Sequence, residues 1–315
     1  MGDPPNNRAF SSQAAAEAFT IARMTQTFDQ TYGKTHDHDA ASEAVQESVS
    51  GINISHYNFI TVDATTAIVT YDPFNHRSTV SFDPAHSFGD RWDAFQRGPE
   101  DHPLGGHVHG GAYEDMVSEQ DHPDFPGDNM REVVEGILHD NAAHNPDRPL
   151  TVDFSGFSMG GAKSAMMAGE LIGQGFFDDN ENMQLGTIHT FGPPAYGDTD
   201  FTQALDQRVE ELGGNMWMVQ LHGDNMPDVL SPEGRGFAKF KYDQAGEHVY
   251  VVPAHNGAEA QILISPTDEE IEALPPADEA VDAHTSEAYQ STLNQLAGDP
   301  VAPAQAPAPD NGFKP

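Results

Sequence analysis

Leu150-Thr151-Val152-Asp153-Phe154-Ser155-Gly156-Phe157-Ser158-Met159-Gly160-Gly161-Ala162 is the stretch that decides the fold. Leu150 to Ser155 has the composition of a buried strand, and Met159 to Gly173 that of a tight helix of small residues. Between them lies Gly-x-Ser-x-Gly, a weak pattern by itself. It gains weight here because a strand-turn-helix setting is what a nucleophilic serine on a sharp turn requires. The reason is steric: residues two positions either side of the serine must be small, and Gly156 and Gly160 are. Ser158 would then sit at a helix N-terminus, whose dipole and free N–H groups favour a developing oxyanion. The plain alternative is a glycine-rich helix start without chemistry.

Outward from this turn, the chain alternates strands and helices. Upstream, residues 11–30 carry Ala, Phe, Ile and Met at helical spacing, and a second helical stretch covers 40–49. Residues 65–71 and 77–82 resemble two strands joined at Asp72, Pro73 and Asn75. From Phe82 to Pro126 the composition is that of a loop. A helix follows, with Met130, Val133, Val134, Ile137 and Leu138 on one face and Asp128 as its cap. Downstream, strands are expected at Gly186–Phe191, Met216–Leu221 and His248–Val252, and a last helix at 284–297. This alternation predicts a largely parallel sheet. The Pro- and Ala-rich residues 300–315 cannot pack a core and are expected to be disordered.

Composition narrows the function. Fifty acidic residues against fourteen basic ones give a net charge of -36, which repels nucleic acid and anionic membrane faces. The acids are mostly Asp and lysines are few, as on salt-adapted surfaces, where ions screen self-repulsion. An ordinary acidic protein is the equal alternative. The absence of cysteine removes disulfides, thiolate metal sites and a cysteine nucleophile together. Mean hydropathy is -0.54 and no apolar run approaches the ~20 residues that cross a bilayer, so no transmembrane segment is expected. Met1-Gly2-Asp3-Pro4-Pro5 has neither a basic start nor an apolar stretch behind it, so no secretory signal peptide is expected in this chain. Compartment stays open between the cytoplasm and export, and so does oligomeric state.

A serine needs a base, and the base a carboxylate to orient it. On a strand-turn-helix nucleophile the chain order is serine, acid, histidine. Asp224 follows the strand Met216–Leu221 directly and is the first candidate acid, with Asp228 its rival. His284, just ahead of the last helix, is the first candidate base, with His248 and His255 as rivals. His36-Asp37-His38-Asp39 and His107-x-His109 have metal-like composition, but such neighbours arise by chance in so acidic and His-rich a chain. Asp121, Asp124 and Asp128 do not match a calcium loop. No metal and no cofactor is expected.

Five elements, in order, resemble the class 3 lipases, the fungal-type triacylglycerol lipase family. Val108-His109-Gly110-Gly111 is similar to the family's Val-His-x-Gly, and Gly156 to Ala162 to its Gly-His-Ser-Leu-Gly-Gly-Ala. Thr190 to Gly197 resembles Thr-Phe-Gly-x-Pro-Arg-x-Gly, Asp224 to Pro227 resembles Asp-Pro-Val-Pro, and His284 with Tyr289 resembles the terminal His and aromatic. The resemblance spans Thr65 to Leu296. It implies a Ser158, Asp224, His284 triad hydrolysing fatty-acyl esters. The family's Phe-Arg-Gly-Ser/Thr is matched by Phe82-Asp83-Pro84-Ala85, so backbone N–H groups of Ala85 and Met159 would hold the oxyanion, without a hydroxyl. Phe157 and Ala195 stand where the family has His and Arg, and Phe157 is counted with the substrate-binding residues. Phe88, Trp92 and Phe95, at i, i+4 and i+7, would form one face of a short helix where the family has its lid; plain core is the alternative.

The expected architecture is a single α/β-hydrolase domain with a mostly parallel central sheet flanked by helices. Residues 1–52 form an N-terminal helical segment packed on it, 53–299 the hydrolase domain and 300–315 the tail. The expected partner is a lipid or ester substrate at an interface, a triacylglycerol or phospholipid. A small-ester or feruloyl-type esterase, and a non-catalytic lipid-binding or scaffold protein, are the alternatives.

Overall fold

A computed structural model describes residues 9–48, 56–62, 65–84, 98–118, 129–229, 242–254, 259–277 and 282–298. Two helices open it, α1 (Ser12–Thr35) and α2 (His38–Ser48). Three strands follow: β1 (His56–Val62), β2 (Thr65–Asp72) and β3 (Arg77–Phe82). A short hairpin, β4 (Pro99–Asp101) and β5 (His107–His109), leads into α3 (Gly110–Val117) and α4 (Met130–Ala143). Then come β6 (Leu150–Phe157), α5 (Met159–Gly173), α6 (Phe176–Asp179), β7 (Met183–Phe191), α7 (Thr199–Glu211) and β8 (Asn215–Leu221). The chain continues through β9 (Glu247–Val252), β10 (Gln261–Ile264), α8 (Asp268–Glu272) and α9 (Ser286–Ala297).

The main sheet runs β1-β2-β3-β6-β7-β8-β9-β10. Strands β3, β6, β7, β8 and β9 are parallel, and antiparallel pairs close both edges. Every residue of β6 is buried, as a central strand covered on both faces must be. One core layer packs α3, α4, α5 and α7 on the sheet through residues such as Tyr113, Val134, Met166 and Phe201. The opposite layer joins α1 and α9 to it through Phe19, Phe191, Val219, Tyr289 and Leu293. Ser155 Oγ also donates to the Ala18 carbonyl at 2.6 Å, fastening α1 to β6.

Several expectations need correction. Part of the stretch with loop-like composition is ordered structure, the β4-β5 hairpin and α3. Gly105 and Gly106 turn the hairpin with positive φ, and the His109 side chain accepts the Ala112 N–H to start α3. The cap of α4 is Asn129, in a reciprocal capping box with Glu132, and not Asp128. Strands β1 and β10 and helix α7 come in addition to the elements expected from the sequence, although Phe201, Leu205 and Val209 lie on one buried face of α7. The last helix begins at Ser286 with Thr285 as its N-cap, so His284 lies ahead of it.

Candidate active site

Ser158 joins β6 to α5 at φ 55° and ψ -130°. A non-glycine residue held there stores on the order of 1–3 kcal/mol of strain, so its surroundings must enforce it. They do so by close backbone packing. A Cβ on Gly156 would collide with the Gly160 carbonyl, and one on Gly160 with the Phe82 carbonyl. The Ser158 N–H donates to the Phe191 carbonyl at 2.8 Å, tying the turn to the end of β7. Ser158 is thereby aimed off the C-terminal edge of the sheet, with Met159 as the first residue of α5. The Met159 N–H belongs to the first turn and has no acceptor within its own helix.

His284 stands over this serine, with Nε2 2.9 Å from Ser158 Oγ. Its Nδ1 lies 3.0 and 2.9 Å from the two oxygens of Asp224. A carboxylate only accepts, so the ring proton sits on Nδ1 and Nε2 turns its lone pair toward the serine hydroxyl. The rivals stand elsewhere. His248 is half-buried in β9 and desolvation holds its imidazole below the ordinary value, Asp228 ends a short 3-10 turn, and His255 lies outside the described residues.

Asp224 is buried and is held by several donors. Tyr289 Oη donates to Oδ2 at 2.6 Å and the Met226 N–H to Oδ1 at 2.8 Å. Gln220 Nε2 donates to the Asp224 carbonyl at 2.8 Å. Tyr289 in turn accepts the Leu221 N–H at 3.0 Å. Burial, reinforced by the Asp224 charge, raises the Tyr289 hydroxyl well above its ordinary value, so it stays a donor. Gly192, at φ 51°, makes room for the whole arrangement. A Cβ there would collide with the Asp224 carboxylate, lie 2.7 Å from Tyr289 Oη and 3.3 Å from His284 Nδ1. The hydrogen bond from Tyr289 and the room left by Gly192 emerge only in three dimensions. In the sequence, Gly192 is one residue of Thr190-Phe191-Gly192-Pro193, and Tyr289 is one aromatic in the last helix.

Phe157, counted with the substrate residues, is buried. Its ring stacks on His284 with centroids 4.9 Å apart and packs edge-on against Phe19 and Tyr289. It braces the His284 ring from the side of α1. Ala195 is buried. Ala85, Phe88, Trp92 and Phe95 lie outside the described residues, as do Asp121, Asp124 and Asp128. His36 to Asp39 form the junction of α1 and α2, and His107 pairs with Asp198 and Asp101. Among the described residues no group of three or more His, Asp and Glu is placed to hold a metal ion. No described helix is long and apolar enough to cross a membrane.

Known proteins share this architecture. A triacylglycerol lipase whose catalytic centre is a serine protease triad superposes with a TM-score of 0.56 at 18% identity, over 91% of this chain and 96% of its own. The triacylglyceride lipase of Rhizomucor miehei gives 0.55 at 18% identity, over 89% and 98%. A lipase from Rhizopus microsporus var. chinensis gives 0.53 at 17% identity, over 92% and 93%. At such identities the likeness speaks for the fold. The family follows from the sequence, because the model of class 3 lipases matches residues 74–233, just over half of the chain. The chain belongs to the class 3 lipase family and is a carboxylic ester hydrolase of the α/β-hydrolase fold.

Proposed function

We propose that this protein hydrolyses acyl esters of glycerides or phospholipids through an acyl-enzyme on Ser158, with His284 as base and Asp224 as its partner. The observation that carries the reading is the continuous path from Ser158 Oγ through the His284 ring to Asp224, with 2.9 Å at each end. As Oγ attacks the ester carbonyl, Nε2 takes its proton, and the imidazolium is stabilised by the carboxylate at Nδ1. The Met159 N–H donates to the oxyanion, and Ala85 is the second donor expected from the sequence. When the intermediate collapses, Nε2–H protonates the leaving alcohol. Water then repeats the sequence on the acyl-enzyme and frees the fatty acid. Tyr289, Met226 and Gln220 keep Asp224 from turning away, and Phe157 stacks on the imidazole. A related fold supports the assignment, since the catalytic centre of one triacylglycerol lipase is a serine protease triad.

The substrate class is tested by assaying emulsified triacylglycerol, phospholipid vesicles, p-nitrophenyl esters and a feruloyl ester with the parent and with Ser158→Ala. Turnover of long-chain glyceride or phospholipid that vanishes in the variant supports the proposal. Turnover confined to short-chain or feruloyl esters would transfer the protein to the esterases. Parental turnover in Ser158→Ala would end the assignment of the nucleophile.

A further inference from the structure

Two charged side chains that this chemistry does not use lie inside the fold beside the nucleophile turn. Asp83, just past the end of β3, is 0% exposed, and Lys163, on α5, is 2% exposed. Lys163 Nζ lies 3.1 Å from Asp83 Oδ1 and donates to Thr65 Oγ1 at 2.8 Å. The same Asp83 oxygen accepts the Thr66 N–H at 3.0 Å. The Thr66 hydroxyl donates to Asp29 of α1 at 3.3 Å. The Asp83 main chain is fixed as well, because its N–H donates to the Thr66 carbonyl at 2.9 Å. Its carbonyl and that of Phe82 press against Gly160, where an added Cβ would lie 2.9 Å from the Asp83 oxygen and collide with the Phe82 oxygen.

Stability alone is a poor reason for such a pair. Removing two charges from water costs several kcal/mol per ion, and well-packed apolar side chains of similar volume often serve as well or better. Lys163 moreover sits in a helix whose other buried residues are mostly Ala, Met and Gly. Its position is telling. Lys163 follows Met159 by four residues, so it lies one turn further along the same face of α5. Asp83 belongs to the chain that abuts Gly160 in the first turn. The pair therefore joins the two pieces of backbone whose separation sets where the Met159 N–H points.

We propose that Lys163 and Asp83 are positioning residues for ester hydrolysis: their ion pair clamps the first turn of α5 to the end of β3 and holds the Met159 N–H against the forming oxyanion. The inference rests on the Ser158 acyl-enzyme reading. Its test uses Lys163→Met, the paired variant Asp83→Leu/Lys163→Met, which removes both charges of the pair, and Glu170→Gln as a buried-polar control on the same helix. Each is assayed on p-nitrophenyl butyrate and with an alkyl trifluoromethyl ketone, whose hemiketal with serine carries the oxyanion. In both Lys163 variants kcat falls about tenfold or more while KM stays within about twofold, and the inhibition constant of the ketone rises by the same factor as kcat falls. In the paired variant this holds even at a parental melting temperature. Glu170→Gln lowers the melting temperature and leaves kcat and the ketone affinity within about twofold of the parent.

Should Lys163→Met fail to fold, the paired variant carries the test. Parental kcat in the paired variant would overturn the proposal, as would a loss of kcat with unchanged ketone affinity. An equal loss in Glu170→Gln would do the same, since it would reduce the effect to general loosening. The underlying reading fails separately, through a parent that hydrolyses no ester in a Ser158-dependent way.

Discussion

Helix α5 has a buried polar centre at each end, and the two differ in kind. At its start Ser158 is strained, its hydroxyl faces the lone pair of His284, and glycines bring backbone within contact distance. Toward its end Glu170 is 3% exposed and takes hydrogen bonds from Tyr113 Oη at 2.5 Å and Gln174 Nε2 at 3.2 Å. His102 Nε2 lies 3.8 Å from the same carboxylate. That second histidine is oriented quite differently from His284. Its Nδ1 accepts the Leu104 N–H at 3.1 Å and its Nε2 donates to the Met166 carbonyl at 3.2 Å. Both ring nitrogens are occupied by backbone, so the ring has no lone pair left for a substrate proton. Burial of charge is common to both centres, whereas strain and a lone pair facing a hydroxyl belong to one.

The sharpest way to break this comparison is to disable the first centre. Asp224→Asn and His284→Ala should each lower kcat by on the order of 10³-fold or more, because triad members act as a unit. His248→Ala should stay within a few-fold of the parent, about the scatter of substitutions remote from the chemistry. Steady-state kinetics on a soluble ester, with circular dichroism as the folding control, decide it. An active His284→Ala would remove the base from the mechanism. Gly192→Ala is expected to come next, with a loss of about 10²-fold in kcat, since a methyl group there displaces the Asp224 carboxylate from the imidazole. A Gly192→Ala enzyme with parental kcat would show that the tight fit is incidental.

The second centre should instead govern stability and its pH dependence. Burial, opposed by the Glu170 charge, pushes the His102 imidazole down to about 4. The unfolded chain takes up this proton near the ordinary value and the folded chain resists it. Stability therefore declines as pH falls from about 6.5 to about 4, by up to about 3 kcal/mol for this one group. His102→Gln should flatten that part of the curve without moving kcat. A parental slope in the variant, measured by denaturation between pH 7 and pH 4, would show that other groups carry the acid sensitivity. Salt gives the smallest effect. The net charge is -36, and among the described residues most acidic side chains are not buried, so ions screen them far better than either buried centre. The melting temperature should rise between about 0.1 and about 1 M NaCl, and a flat or falling course would contradict a salt-adapted surface.

The two centres are also unequally legible in the amino-acid sequence. The first depends on local rules. Gly156 and Gly160 flank a serine between strand and helix, Asp224 follows β8 directly, and His284 precedes a capped helix. Such signals survive without knowledge of the fold, and the β2-β3 hairpin and α5 are equally plain. The second centre unites Glu170 with His102 and Tyr113, which lie 57 or more positions upstream in the chain, and nothing local marks their meeting. The same holds for Lys163 and Asp83, separated by 80 positions in the chain. Tyr289 and Gly192 fall between the two cases, because their motifs are local but their duty to Asp224 is spatial. The hairpin β4-β5 is hidden in the sequence because glycine, histidine and aspartate resemble a loop until pairing with the neighbouring strand is known.

The acyl-enzyme mechanism is tested most directly by reacting the protein with a fluorophosphonate and locating the adduct by peptide mass spectrometry. One adduct is expected, on Ser158, formed rapidly by the parent, formed slowly by His284→Ala and Asp224→Asn, and absent from Ser158→Ala. An adduct on another residue, or labelling of Ser158 at the parental rate without His284, would contradict it.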